Sequence, residues 1–316
     1  MSARPKVTLL AGGVGGAKMA EGLAGIEGIE LQIIGNVGDD EEFHGLWVSP
    51  DIDTLTYSLS GRINREQGWG VADESLRGLE TLGSLGQETW MTLGDRDLGL
   101  HIYRTMRRAR GDRPADIAKH VAEAFGVTCP ILLPTDDVVQ TRLRTPEGWL
   151  SFQEYFVRDR CAPEVLEIKF EGAEDARPTP EALSAIAEAE TIIIAPSNPL
   201  VSIAPILAIP GIRNALARST ARKIAVSPLI AGRTVKGPAA DMMTSLGHQA
   251  DALGVARLYA ELVEYFMIDR QDEKLANAIE ALGLKVVKAN TLMKSKDDKT
   301  RLAREVLQSH HSEALA

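Results

Sequence analysis

Four glycines fall within five positions near the start of the chain: Gly12, Gly13, Gly15 and Gly16. They follow the β-formers Val7, Thr8, Leu9 and Leu10, which read as a buried strand, and precede Ala17-Lys18-Met19-Ala20-Glu21, which reads as helix. Strand, glycine turn and helix together bring backbone N–H groups to a phosphate at a helix N-terminus. Glycine suits this work because a Cβ would block the turn or the close approach. The turn meets neither standard pattern. A dinucleotide fingerprint starting at Gly13 needs glycine where Lys18 stands, and a P-loop needs Ser or Thr after its lysine, where this chain has Met19. Two readings stand: a phosphate or pyrophosphate cradle with Lys18 as charge partner, or a tight turn with no ligand. The position directly after the first strand favours the cradle.

Carboxylates form the second group. Asp39-Asp40-Glu41-Glu42 follows a strand at 30–34, at the end where open α/β sheets place their ligands; a solvated acidic loop is the alternative. Asp51 and Asp53, in Ser-Pro-Asp-Ile-Asp-Thr, open a helix. An aspartate there is commonly a cap, but two at i and i+2 cannot both cap. Two or three hard oxygen ligands beside a pyrophosphate would instead hold Mg²⁺, with Asp39, Asp51 and Asp53 as candidates. Arg96 lies between Asp95 and Asp97, either of which could cap the next helix. Arg96 is then a surface ion pair of little worth, or, in a cleft, a forked donor to a phosphate or ring-carbonyl edge. Arg104, Arg107, Arg108, Arg110 and Arg113 read as a solvated basic face. Ser197 and Asn198 end an apolar strand between two prolines. They offer donors for phosphate or base, or form an ordinary proline-rich turn.

The elements that must position these residues are those of an α/β protein. Strand-like runs at 7–10, 30–34, 131–133, 191–195, 223–226, 265–268 and 286–287 alternate with helical stretches, the rhythm of a Rossmann-like, doubly wound, mostly parallel sheet. Residues 1–62 and 179–308 read as this nucleotide-binding core. Residues 63–178 read as an inserted subdomain of helices and a hairpin, the strands flanking Pro146-Glu147-Gly148. The end, 309–316, reads as a flexible tail whose two histidines are solvated. The 316 residues are 44% hydrophobic and 25% charged, with a net charge of −9, which argues against general nucleic-acid binding but leaves room for a nucleotide ligand. Cys129 and Cys161 lack metal spacing and read as thiols of a reducing compartment. No apolar run reaches membrane-span length, and the first residues lack a signal-peptide pattern. The expectation is a cytoplasmic protein with no membrane partner. The oligomeric state stays open, with a homodimer as the candidate assembly.

Several stretches together resemble one family. SPDIDT (49–54), LGDRD (93–97), APSNPLVSIAPILAIPG (195–211), VSPLI (226–230), KGPAA (236–240) and ANTLM (289–293) are similar to the 2-phospho-L-lactate transferases of coenzyme F-420 biosynthesis. The resemblance runs in order over nearly the whole chain. It implies transfer, with Mg²⁺, from a guanosine-diphosphate-linked three-carbon acid to the terminal ribityl hydroxyl of the deazaflavin precursor 7,8-didemethyl-8-hydroxy-5-deazariboflavin, with release of GMP. It further implies that Gly12, Gly13, Gly15 and Gly16 carry the donor's phosphates, that Asp39, Asp51 and Asp53 hold Mg²⁺ or orient the hydroxyl, that Asp53 and Arg96 serve the deazaflavin, and that Ser197 and Asn198 serve the guanine nucleotide. The family's loop commonly reads G-G-T-G; Val14 stands here in place of the threonine, which removes a hydroxyl but not the backbone cradle. A nucleotide-sugar-binding regulator of the same fold is the competing reading. It would keep the glycine turn but not LGDRD. A dinucleotide oxidoreductase is a third, disfavoured by the missing glycine at Lys18.

Overall fold

The computed structural model describes residues 4–309. Seven parallel strands form the central sheet: β1 (Lys6–Ala11), β2 (Glu30–Gly35), β5 (Ile131–Leu132), β9 (Thr191–Ile194), β10 (Arg222–Val226), β13 (Tyr265–Asp269) and β14 (Lys285–Ala289). Three small antiparallel ladders lie outside it. These are β3 (Glu41–Phe43) with β4 (Leu46–Val48), β6 (Gln140–Thr145) between β7 (Gly148–Ser151) and β8 (Glu167–Glu171), and β11 (Leu229–Ile230) with β12 (Arg233–Thr234).

The order across the main sheet is β14-β13-β10-β9-β1-β2-β5. The chain leaves β1 for β2 and β5 on one side, then returns to β9 and runs through β10, β13 and β14 on the other. The sheet therefore reverses direction between β1 and β9, and it is outside the carboxyl ends at such a point that doubly wound sheets open a crevice. Strand residues alternate between two cores, as a fully covered sheet requires. Val7, Leu9 and Ile193 pack with α1 (Gly13–Ala24), α2 (Pro50–Leu59), α5 (Pro114–Ala124) and α12 (Lys296–Gln308). Leu10, Ile192 and Phe266 pack with α6 (Pro180–Glu188), α8 (Ile212–Arg218), α10 (Ala252–Tyr259) and α11 (Ala276–Glu280). Burial of these aliphatic side chains stabilises the layers by roughly 1.5–3 kcal/mol each.

The inserted segment is less separate than the sequence suggests. Ile131 pairs with Ile33 and is buried beside it, so β5 is the edge strand of the main sheet, and α5 covers that sheet's face. What stands apart within 63–178 is α3 (Arg77–Ser84), α4 (Asp95–Ala109) and the β6–β8 ladder. Two further short helices are α7 (Ala204–Ala208), which packs in the core, and α9 (Ala239–Ser245), whose Ala239 reaches the crevice. Of the tail, all but Ser309 lies outside the described residues. Among the described residues no single helix is long and apolar enough to cross a membrane.

Candidate active site

A cavity of about 920 Å³ opens at the reversal point, and the ends of β1, β2, β9 and β10 all contribute to its lining. The glycine turn forms part of its wall. Gly13 takes a left-handed φ of +59°, and α1 begins there with no side-chain cap at Gly12. The N–H groups of a first helical turn lack intrahelical partners, so this end of α1 offers donors and the positive pole of the helix to an anion. Close approach explains Gly15: a Cβ there would lie 2.0 Å from the carbonyl oxygen of Pro196. The turn after β1 thus rests directly on the turn after β9.

Ser197 makes that junction. Its buried hydroxyl donates to the Gly12 carbonyl at 2.7 Å and accepts from the Gly12 N–H at 3.4 Å. Asn198 caps the turn that follows, accepting from the Leu200 N–H at 2.9 Å. Both line the cavity, and both already have structural duties. Lys18 also lines it and donates to the Met293 carbonyl at 3.1 Å; burial, and then neighbouring Lys299, pull its pKa below the ordinary lysine value. Lys236 reaches the same cavity from beyond β12, its ammonium 3.9 Å from the centroid of the Trp69 ring.

Asp39 and Asp51 come together as buried neighbours. The Asn36 amide, fully buried after β2, donates to Asp51 Oδ2 at 2.9 Å and to the Val201 carbonyl at 3.2 Å, while its oxygen accepts from the Gly38 N–H. Burial, then the charges of Asp51 and Asp40, hold the Asp39 carboxyl well above the carboxylate range; burial raises Asp51 as well. Asp39 Oδ1 is buried without a hydrogen-bond partner. The acidic run is therefore not a solvated loop at its start, because Asp39 and Asp40 are both buried.

Asp53 does not join them. It is one of two aspartates in the first turn of α2, neither acting as a cap. Its carboxylate is gripped by the guanidinium of Arg104, through Nη2 to Oδ1 and through Nη1 to Oδ2 at 3.1 Å. The expected trio of metal ligands is thus divided, and among the described residues no group of three His, Cys, Asp or Glu side chains has metal-site geometry. Arg104 itself corrects the reading of a solvated basic face: it is only 6% exposed.

Arg96 is also displaced from its expected place. Its side chain is exposed, donates to the Ala72 carbonyl at 2.9 Å, and is absent from the cavity wall. The neighbouring Asp97 is on that wall, with Tyr57 and His101. Tyr57 donates its hydroxyl to Asp97 Oδ1, and His101 Nε2 lies 3.6 Å from the same oxygen. Burial opposes ionisation of Asp97, but His101, Tyr57 and Arg104 outweigh it and keep the carboxyl below its usual range. Asp97, His101 and Arg104 stand at i, i+4 and i+7 of α4, opposite Asp53 and Tyr57 at i and i+4 of α2. These matched polar stripes are the signal in the sequence that points to the pairing.

A doubly wound sheet with a glycine turn at its reversal point, buried carboxylates beside it and a cavity large enough for two small molecules defines an α/β protein with its ligand site at the carboxyl ends of the strands. The comparisons narrow the class: the family model for 2-phospho-L-lactate transferase CofD matches residues 7–308, and the chain belongs to that family of transferases. A 2-phospho-L-lactate transferase of Methanopyrus kandleri is 38% identical over 307 residues, 96% of each chain. A phosphoenolpyruvate transferase of Kitasatospora aureofaciens is 38% identical over 311 residues, 96% of this chain and 97% of its own. A solved structure of a upf0052-family protein from Bacillus halodurans matches in fold with a TM-score of 0.65, covering 96% of this chain and 99% of its own at 15% identity.

Proposed function

We propose that this transferase moves a phospho-three-carbon-acid group, 2-phospho-L-lactate or phosphoenolpyruvate, from a GDP-linked donor to 7,8-didemethyl-8-hydroxy-5-deazariboflavin, releasing GMP, in coenzyme F-420 biosynthesis. The observation that carries this reading is the single cavity in which the uncapped N-terminus of α1 and the Asp39–Asp51 pair occur with the α2/α4 wall of Tyr57, Asp97 and His101. One part suits phosphates, the other a neutral polar molecule. The relatives named for both transferases support the two candidate three-carbon acids.

Phosphoryl transfer is mostly positioning and charge neutralisation. The N–H groups of the glycine turn and Lys18 bind the donor's phosphates. The acceptor's terminal hydroxyl attacks the phosphorus nearer the three-carbon group, its proton passes to water, and GMP departs with the bridging oxygen. Asp39 and Asp51 would hold Mg²⁺: Asp39 Oδ1 is buried with no partner, and the charge of Asp51 opposes ionisation of Asp39. Mg²⁺ takes one or two protein carboxylates and leaves its other positions to water and substrate phosphates; bound there, it supplies charge neutralisation at the phosphates. Arg104 and Asp53 hold α4 against α2 and so keep the acceptor's wall in register. The free thiols Cys129 and Cys161 suit a cytoplasmic setting.

The test is product mass spectrometry. Purified protein, the deazaflavin precursor and Mg²⁺ are incubated with lactyl, enolpyruvyl and glyceryl guanosine diphosphates in turn. A phosphodiester of the deazaflavin with an equal amount of GMP is expected from at least one donor; GMP-free incubations with all three would refute the proposal.

A further inference from the structure

His101 is 1% exposed, and its Nε2 has no hydrogen-bond partner. Its other nitrogen, Nδ1, lies 3.2 Å from Arg104 Nη1. A guanidinium has only donors, so Nδ1 accepts from Arg104 and the ring N–H is at Nε2. Arg104 cannot turn away, because both oxygens of Asp53 hold it. Asp53, Arg104 and His101 therefore form a chain that fixes one tautomer and directs its N–H toward Asp97 Oδ1, 3.6 Å away.

That oxygen already accepts the Tyr57 hydroxyl. The Asp97 backbone N–H is held by Glu74 at 2.9 Å, in the first turn of α4. The carboxylate is thus held by Tyr57 and its backbone by Glu74, with the His101 ring beside it, and among the described residues no donor meets its Oδ2. The Asp97 side chain keeps 15% exposure and lines the cavity. A carboxylate with one occupied and one open oxygen, fixed in orientation, is a directional acceptor. It attracts an N–H or O–H and repels a phosphate.

We propose that Asp97 binds the acceptor molecule, its Oδ2 taking a hydrogen bond from an N–H or O–H of that molecule, and that His101 is a positioning residue acting through its fixed Nε2–H tautomer. The identity of the acceptor rests on the function proposed above. The division of the cavity follows: anionic phosphates go to α1 and Lys18, and a donor-bearing, phosphate-free molecule goes to Asp97.

The test combines three measurements on the full-length protein. Ring nitrogen–carbon correlation spectra of isotope-labelled protein should show the buried histidine protonated at Nε2 and bare at Nδ1; a proton on Nδ1 overturns the positioning role. Binding of the deazaflavin precursor, followed by its fluorescence, should weaken about ten- to hundredfold in Asp97→Asn, with binding of the guanylated donor unchanged. His101→Gln, which keeps a donor, should retain more acceptor affinity than His101→Phe, the difference falling on KM for the acceptor rather than on kcat. Equal acceptor affinity in Asp97→Asn and wild type overturns this proposal alone. Failure of the wild-type protein to bind the deazaflavin overturns the functional reading and this proposal together.

Discussion

Arg104 and Asp53 form a two-point ion pair between α4 and α2, with both residues buried. Asp53 lines the cavity, Arg104 stands behind it, and the pair orients His101. Breaking a buried pair from one side leaves an uncompensated charge, which costs about 3–5 kcal/mol. Arg104→Met is expected to lose that much stability in urea denaturation, and Asp53→Asn a comparable amount. Replacing both at once should cost less than the sum of the single changes. A loss below about 1 kcal/mol in Arg104→Met would show that the pair does not hold the two helices. From the sequence alone, Asp53→Asn looks like a change to chemistry with the fold intact; the ion pair makes it a change to both.

Gly15→Ala tests the junction of the two turns. The added methyl would occupy the space of the Pro196 carbonyl oxygen, 2.0 Å away. Backbone on both sides must move, so a loss of more than about 2 kcal/mol is expected, together with loss of donor binding. A variant that melts and binds the donor as the wild type does would mean that the turns do not approach as described.

Asp39→Asn should separate stability from activity. The carboxyl of Asp39 is raised well above its ordinary value by burial and by Asp51, so ionising it in the metal-free protein is unfavourable. At pH 8 with chelator, the asparagine variant should be more stable than the wild type in urea denaturation. With Mg²⁺ and substrates it should release little or no GMP. Wild-type turnover in the variant would remove Asp39 from the metal site.

Asp40 should contribute a fall in stability as pH rises through the acid range. Burial pushes its carboxyl from 3.8 up to about 7, against hydrogen bonds from Ser49 and Trp47 and the charge of Arg104. Between about pH 4 and 7 the native protein keeps a proton that the unfolded chain has lost. Its contribution is complete below the unfolded pKa and is gone once pH passes the folded one. Asp39 and Asp51 act in the same direction. Asp40→Asn, in chelator, should flatten the dependence in this window by at most about 4 kcal/mol. A wild-type dependence in the variant would show that Asp40 ionises normally.

The local patterns were enough to specify the fold class. Residues 7–10 and 191–195 are β-forming and almost wholly apolar, each with one threonine, because their strands are covered on both faces, and proline or glycine marks the element ends, as at Pro180 and Gly25. The glycine turn was legible for the same reason: close approach of backbone leaves glycine little alternative. Asp39, Asp51, Ser197 and Asn198 were also within reach, since each ends a strand or begins a helix at the edge of the sheet where ligands bind. The short apolar run at 131–133 was visible too, but its partner was not. Nothing local says that Ile131 pairs with Ile33 and closes the main sheet.

Only the tertiary structure decided which side chains face one another. An arginine on a helix between others of its kind looks solvated, and Arg104 became a buried partner because α4 lies against α2. An aspartate beside a second aspartate looks like a metal ligand, and Asp53 became a counter-ion instead. Arg96 and Asp97 are adjacent in sequence, yet neighbouring residues of a helix point about 100° apart; one faces solvent and the other the cavity. Sequence therefore determined the sheet, the turn and the chemistry available at its edge. Helix packing, a property of surfaces brought together from distant parts of the chain, decided which of those charges are spent on each other and which remain for a ligand.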